Sequence, residues 1–357
     1  PTVETNGLLA RALVDRMTEM GVTALDPDWH ESIGEAVAAE VEGRVDAEAH
    51  ARAYKNLSKV LIWAGKKKEA EKYVREAEEQ LTGDWEAHLN AGVLSLESDR
   101  TQEAMASFKE ALRLNPDAAV AHNYLGAVYA AAGDLDQAIA EGEMAVRIDP
   151  NLVIAHNNLG TYYTNKGELE RARSSIEAAL TLDPQYAEAH NNLGNIDFAG
   201  GSLSQAIANY DRALDIRPNY VEALTNRGLL LGELGRFPEA IESLTKALSI
   251  DGDWTQAHIG LGKAFLAAQR IAEARQSFER ALELDAKSPE AYEWLARGLV
   301  VEGRPAMAKE VLKQGLREVP EAETLHYAYG QVLAQEENFE ASIRHLQSAI
   351  RLSGDGM

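Results

Sequence analysis

An all-α solenoid of about nine helix-turn-helix units is the fold class this sequence predicts. Three observations predict it. First, residues recur at a fixed step of 34: Ala104, Ala138, Ala172, Ala206, Ala240, Ala274 and Ala308 form one series, and Pro116, Pro150, Pro184 and Pro218 another. The segment His156-Asn157-Asn158-Leu159-Gly160 returns one step later as His190-Asn191-Asn192-Leu193-Gly194. Second, apolar residues between these markers follow helical spacing, as at Ala121, Leu125, Val128 and Tyr129. Third, the helical stripes are cut at matching places, by Gly133-Asp134 inside a unit and by Pro150 at its end. A fixed period of this length marks stacked supersecondary units, each packed only on its neighbours.

With Pro116 at position 32 of its unit, repeats begin at residues 51, 85, 119, 153, 187, 221, 255, 289 and 323. They fill 51–356 without an insertion. The unit beginning at Ala119 illustrates the rest. Its first helix carries Ala121, Leu125 and Val128, and its second carries Ala138, Ile139, Ala145, Val146 and Ile148. Gly126, Ala138 and Ala145 are small where helix axes approach closely. A larger side chain there overpacks, at a cost of ~1–3 kcal/mol.

These residues resemble the tetratricopeptide (TPR) repeat family. Its pattern of Leu-Gly, an aromatic, a turn Gly, two alanines and a closing proline is met by Leu125, Gly126, Tyr129, Gly133, Ala138, Ala145 and Pro150. It is met again by Leu193, Gly194, Gly201, Ala206, Tyr210, Ala213 and Pro218. The resemblance covers 51–356 and implies a right-handed superhelix whose first helices line a concave face. Departures gather at the ends: Thr82 closes the first unit, Gly315 replaces the second alanine of the eighth, and Ser342 replaces the first alanine of the ninth. Inside the array, Arg227 stands for the usual Leu, and Gly142 for a large residue.

Residues 1–50 fall outside the register. Residues 7–20 and 27–41 read as two further helices, rich in carboxylates, and are expected to form an N-terminal cap. A second reading docks this acidic segment on a partner or on its own groove, with Lys66-Lys67-Lys68 as a basic counterpart.

Composition narrows the function. The formal net charge is −22, from 57 Asp and Glu against 35 Lys and Arg. Such a surface repels phosphate backbones and anionic lipid, so nucleic acid is not the expected partner. No run of 18 apolar residues occurs, so no membrane insertion is expected. The chain has no cysteine, which removes thiol nucleophiles and disulfides. The cytoplasm is the favoured compartment; the periplasm stays open if a signal segment was removed.

No motif for catalysis, cofactor binding or metal binding stands out, and the expectation is a protein that is not an enzyme. Gly260-Leu261-Gly262-Lys263 superficially suggests a phosphate loop, but it lies mid-helix with no preceding strand. His88, His122, His156, His190, His258 and His326 share one repeat position. A zinc ion needs nitrogens converging at ~2.0–2.1 Å, whereas equivalent positions on neighbouring helices stand ~8–10 Å apart. They are expected to be packing residues.

The binding face is expected on repeat positions 2, 5, 6, 9, 12 and 13. Position 6 carries Asn56, Asn90, Asn158, Asn192 and Asn226; position 5 carries Asn123, Asn157 and Asn191; position 9 adds Asn195. Tyr124 interrupts the series, and Gly260, Trp294 and Ala328 follow it. This row resembles the asparagine ladder of the TPR domain of O-linked N-acetylglucosamine transferase, which implies that these residues grip an extended peptide. A primary amide offers an acceptor and two donors, matching a peptide unit whatever its side chain. The clamp by which chaperone-binding TPR domains hold a terminal carboxylate is not expected, because Gln256 and Gly260 stand where basic residues belong.

The expected function is a scaffold or adaptor binding an extended segment of a partner protein. Two alternatives remain. One is the substrate-recognition part of a larger enzyme such as a glycosyltransferase. The other is a secretion or envelope assembly factor, or a chain that self-associates through its end repeats.

Overall fold

The computed structural model describes residues 47–354, and every regular element within them is an α-helix. The acidic segment 1–46, with its two expected helices, lies outside the described residues. The chain divides into two compact units, residues 1–182 and 183–357. The first contains α1 (Ala47–Trp63), α2 (Lys67–Gln80), α3 (Trp85–Glu97), α4 (Thr101–Leu114), α5 (Ala119–Ala131), α6 (Leu135–Ile148), α7 (Val153–Lys166) and α8 (Leu169–Leu182). The second contains α9 (Ala187–Ala199), α10 (Leu203–Ile216), α11 (Val221–Glu233), α12 (Phe237–Ile250) and α13 (Thr255–Ala267). It continues with α14 (Ile271–Leu284), α15 (Pro289–Val301), α16 (Pro305–Glu318), α17 (Glu323–Gln335) and α18 (Phe339–Gly354).

Consecutive helices pair as antiparallel hairpins, and within each unit the second helix of one hairpin packs on the first helix of the next. First helices also lie side by side, α5 against α7 and α11 against α13. The two alanines of the second helices are the hinge of this packing. Ala104, Ala138, Ala206 and Ala240, with Ala111, Ala145, Ala213 and Ala247, have no exposed surface at all.

The departures from the repeat pattern have local reasons. An alanine Cβ at Gly315 would lie 2.8 Å from Tyr292 Cγ and 2.9 Å from Leu325 Cδ1, so only glycine fits. Ser342 is buried, and its hydroxyl donates to the Gly330 carbonyl at 2.8 Å. Gly142 leaves no gap, since Leu159 and Tyr162 from α7 occupy the space its side chain would take. Arg227 is more than a packing stem: it donates to Asp211 at 2.6 Å and to the buried Ser243 at 2.5 Å, tying α11 to α10 and α12.

The turn inside each hairpin passes through one left-handed residue. Glycine supplies it at Gly65, Gly133, Gly167, Gly201, Gly235 and Gly303. Asp99, Gln269 and Glu337 occupy the same turn with φ near +60°, where a Cβ costs energy.

The loops between hairpins are closed by short-range polar contacts. The Asn115 side chain accepts from the Asp117 amide, and Asp149, Asp183, Asp251 and Asp285 do the same two residues on. Such turns satisfy loop amides just ahead of each first helix.

Candidate functional site

The histidines complete these loops. His122 Nε2 donates to the Pro116 carbonyl at 3.0 Å, six residues upstream. His156, His190, His258 and His326 repeat the bond to Pro150, Pro184, Gly252 and Pro320 at 2.9–3.1 Å. Each imidazole therefore fastens the start of a first helix to the preceding loop. His88 makes a longer contact with the Thr82 carbonyl, 3.4 Å, where the proline is missing. Among the described residues, no three His, Asp or Glu side chains are grouped to hold a metal ion.

The remaining ring nitrogen differs between repeats. His122 Nδ1 meets Glu141 at 2.5 Å. Burial disfavours its charged form, but the hydrogen bonds to Glu141 and to the Pro116 carbonyl outweigh this and raise its pKa. In the last hairpin, His326 Nδ1 meets His345 Nδ1 at 2.9 Å. Since His326 Nε2 is committed to a carbonyl acceptor, its Nδ1 accepts, and His345 donates. Burial lowers the His345 pKa, and so does the repulsion that its charged form would meet from His326 and Arg344.

The asparagines lie on the first helices, as the register predicts. Their amides do not simply face solvent. Asn158 Nδ2 donates to Asn123 Oδ1 at 3.0 Å, joining α7 to α5. Asn226 Nδ2 donates to Asn191 Oδ1 and Asn195 Oδ1, both at 3.1 Å, joining α11 to α9. Position 6 of one repeat thus bonds position 5 of the repeat before it. Asn90 follows the same geometry, donating to the Lys55 backbone carbonyl at 3.1 Å. Asn123, Asn157 and Asn191 are buried, and Asn157 and Asn192 are likewise engaged. Tyr124 replaces an asparagine where the preceding repeat offers Leu89, and its ring stacks on Phe108, with centroids 5.4 Å apart. The ladder stops after Asn226 for the same reason: the next rung would join Thr225 to Gly260, and the Thr225 hydroxyl donates to its own helix at the Val221 carbonyl.

Where the asparagines stop, the face opens into a groove. Its volume is about 550 Å³, and it runs along the second unit from α9 to α15. Asn195, Asn226 and Gln256 supply amides; Phe198, Leu229 and Trp294 supply apolar walls. All six occupy the repeat positions expected to face inward. Glycines form the floor. Gly260 lies close against the wall: a Cβ there would come 2.6 Å from Leu229 Cδ2, which would have to shift. Gly232 has room: a Cβ there meets only the Ala240 methyl, at 3.9 Å. Reading the asparagines alone missed Phe198, Leu229, Lys263 and Trp294. Their positions in the register were the available signal.

The cations of this face are already engaged. Lys263 on α13 is ion-paired with Glu290 on α15 and stands 5.1 Å from the centre of the Trp294 ring. Arg297 pairs with Glu293 at 3.0 Å and lies 4.8 Å from the same ring. Burial holds the Glu293 carboxyl above the ordinary range, which Arg297 offsets in part. At the other end of the chain, Lys55 donates to Asp84 and Glu86 at 2.6 and 2.7 Å. It is held by these carboxylates rather than open to a terminal carboxylate.

Repeated helical hairpins, stacked through small residues and presenting a lined groove, define a helical-repeat interaction protein. The chain belongs to the tetratricopeptide repeat family. Family models described as tetratricopeptide repeat match residues 57–119, 89–152, 153–186, 232–298 and 295–356, and one described as TPR repeat matches 194–235. TPR arrays serve as protein–protein interaction scaffolds and are typically non-catalytic. No helix among the described residues is long and apolar enough to cross a membrane.

No curated protein matches the chain in sequence. Solved structures match in fold. The APC/C hetero-tetramer Cut9-Hcn1 aligns with a TM-score of 0.62 at 19% identity, over 75% of this chain and 52% of that one. This chain thus spans about half the length of that relative. PilF of Pseudomonas aeruginosa aligns with a TM-score of 0.52 at 20% identity, over 62% and 98% of the two chains. PilW, described as a type IV pilus biogenesis factor, gives 0.53 at 23%, over 58% and 96%. At these identities the likeness is one of fold.

Proposed function

We propose that the chain is a non-enzymatic scaffold that holds an extended segment of a partner protein along its first-helix face. The observation that carries this reading is the groove of the second unit, where apolar walls and side-chain amides share one surface. Extended backbone needs donors and acceptors at regular intervals, and primary amides supply both. The asparagine row then works as it does in the ladder that the sequence resembles. Asn158 spends one N–H on Asn123 and keeps another N–H and its carbonyl for a partner. Asn226 spends its Nδ2 on two neighbours and keeps its carbonyl. The ionisable groups support a role without catalysis. Lys263, Arg297 and the first-helix histidines are spent on ion pairs and loop carbonyls.

The test is calorimetric titration of a bound partner segment against wild type and a triple variant, Asn158→Ala, Asn192→Ala and Asn226→Ala. Each lost hydrogen bond is worth ~0.5–1.5 kcal/mol, so the triple variant is expected to lose about 100-fold in affinity. Amides bind dipoles, so the loss should be the same at low and high salt. Equal affinity for the two proteins overturns the reading.

A further inference from the structure

The groove of the second unit has an unbalanced rim. The basic residues of this face are matched one for one: Lys263 by Glu290 and Arg297 by Glu293. Glu233 lines the groove, is exposed, and has no cation against it among the described residues. Glu222, on the same helix, is also exposed, and its charge acts on Arg217, which is already paired with Glu188. The surplus on this face is therefore negative, in a chain whose total charge is −22.

The groove's length and lining set the form of its occupant. It crosses four first helices, α9, α11, α13 and α15. Neighbouring helices stand ~8–10 Å apart, so three steps cover roughly 24–30 Å. An extended chain rises ~3.3 Å per residue, so about eight residues span it. Side chains of such a segment alternate in direction. One set meets Phe198, Leu229 and Trp294, and the other faces outward toward the rim. The backbone between them passes Asn195, Asn226 and Gln256.

We propose that this groove selects a basic segment of about eight extended residues, with large apolar side chains at alternate positions and a Lys or Arg set against Glu233. This rests on the reading of the chain as a peptide-holding scaffold, and it names the partner's chemistry. Apolar side chains bury against the walls and supply most of the affinity. The carboxylate supplies selectivity and a salt-dependent contribution.

Gly232 provides a clean way to block the site. It is a helical residue whose added side chain meets open space, so Gly232→Leu fills the groove without disturbing the fold. A phage-displayed library of random 12-residue peptides is panned on the full chain. The most enriched peptide is labelled with fluorescein and titrated by polarisation against wild type, Gly232→Leu, Glu233→Lys and the asparagine triple variant. The expected peptides carry net positive charge and alternating large apolar residues. Gly232→Leu should weaken binding at least tenfold while folding normally by circular dichroism. Glu233→Lys should weaken it about fivefold at low salt and little at high salt.

Enriched peptides that are acidic or lack the alternation overturn the proposal. So does full affinity in both Gly232→Leu and Glu233→Lys. If the asparagine variant alone loses affinity, this inference fails and the wider reading stands. If no peptide is enriched, or none of the variants changes binding, both fail.

Discussion

Asn158 reaches across from α7 to give its side-chain N–H to Asn123 on α5, so the two amides form a rung between adjacent repeats. Asn123 is buried, and its carbonyl oxygen depends on that bond. The rung makes the asparagine row part of the fold's own adhesion as well as a surface for a partner.

Removing Asn158 should therefore destabilise the chain. Asn158→Ala leaves the Asn123 oxygen buried without its donor, at a cost of about 1–3 kcal/mol. The double variant Asn123→Leu with Asn158→Leu, which replaces both partners, should recover most of that loss. Thermal melts of the single and double variants check it. Additive losses would show that the rung contributes nothing specific.

The three non-glycine left-handed residues offer the opposite result. Asp99→Gly, Gln269→Gly and Glu337→Gly each relieve a Cβ at φ near +60°. Each should stabilise its hairpin, by about 1 kcal/mol or less, because the glycine's extra freedom when unfolded offsets part of the gain. Gly133→Ala at the same turn position should cost about 1 kcal/mol. Denaturant titration of these four variants gives the signs directly.

Two histidines should respond to pH in opposite directions. His122 has a raised pKa in the fold, so its contribution is complete below 6.5 and is lost as the pH rises through the raised value. His345 has a lowered pKa, so its contribution is present above 6.5 and is lost as the pH falls toward and through the lowered value. Acidification should thus loosen α17 and α18 while α5 and α6 hold. Hydrogen exchange at several pH values, followed hairpin by hairpin, separates the two. His345→Phe should abolish the acid response of the last hairpin.

Tyr162 carries a buried hydroxyl for which no hydrogen-bond partner exists among the described residues, and burial raises its pKa. Tyr162→Phe removes that polar atom and keeps the ring that fills the space beside Gly142. The melting temperature should stay the same or rise. A drop of several degrees would mean that the hydroxyl is held by an ordered water.

The fold was legible because its determinants are local and repeated. Ala138, Ala145, Gly133 and Pro150 each have one reason to be where they are, and the reason recurs every 34 residues. The groove was harder to see. Phe198, Leu229, Lys263 and Trp294 come from four different first helices, and none has a neighbour in sequence that signals a site. Gly260 ends the asparagine row, and in the fold it also lies against Leu229 as part of the groove floor. The rungs were hidden for a related reason. Asn158 and Asn123 are 35 residues apart, one more than the repeat, so alignment of the units places them in different columns. The histidines were expected to be packing residues; most are only half-buried, and their bonds to the loop carbonyls needed coordinates.

The offset of the rungs gives the repeats a grammar of plugs and sockets. The unit 187–220 carries a socket toward the following one in Asn191 and Asn195, and Asn226 is the plug that fills it. A duplicate of it, spliced in directly after the original, would still offer that socket to Asn226. A duplicate of 255–288 would present Gly260 and Ile259 and leave both joints bare. Lengthening or shortening this array by whole repeats is therefore not neutral, and which unit is copied decides whether the joints still close.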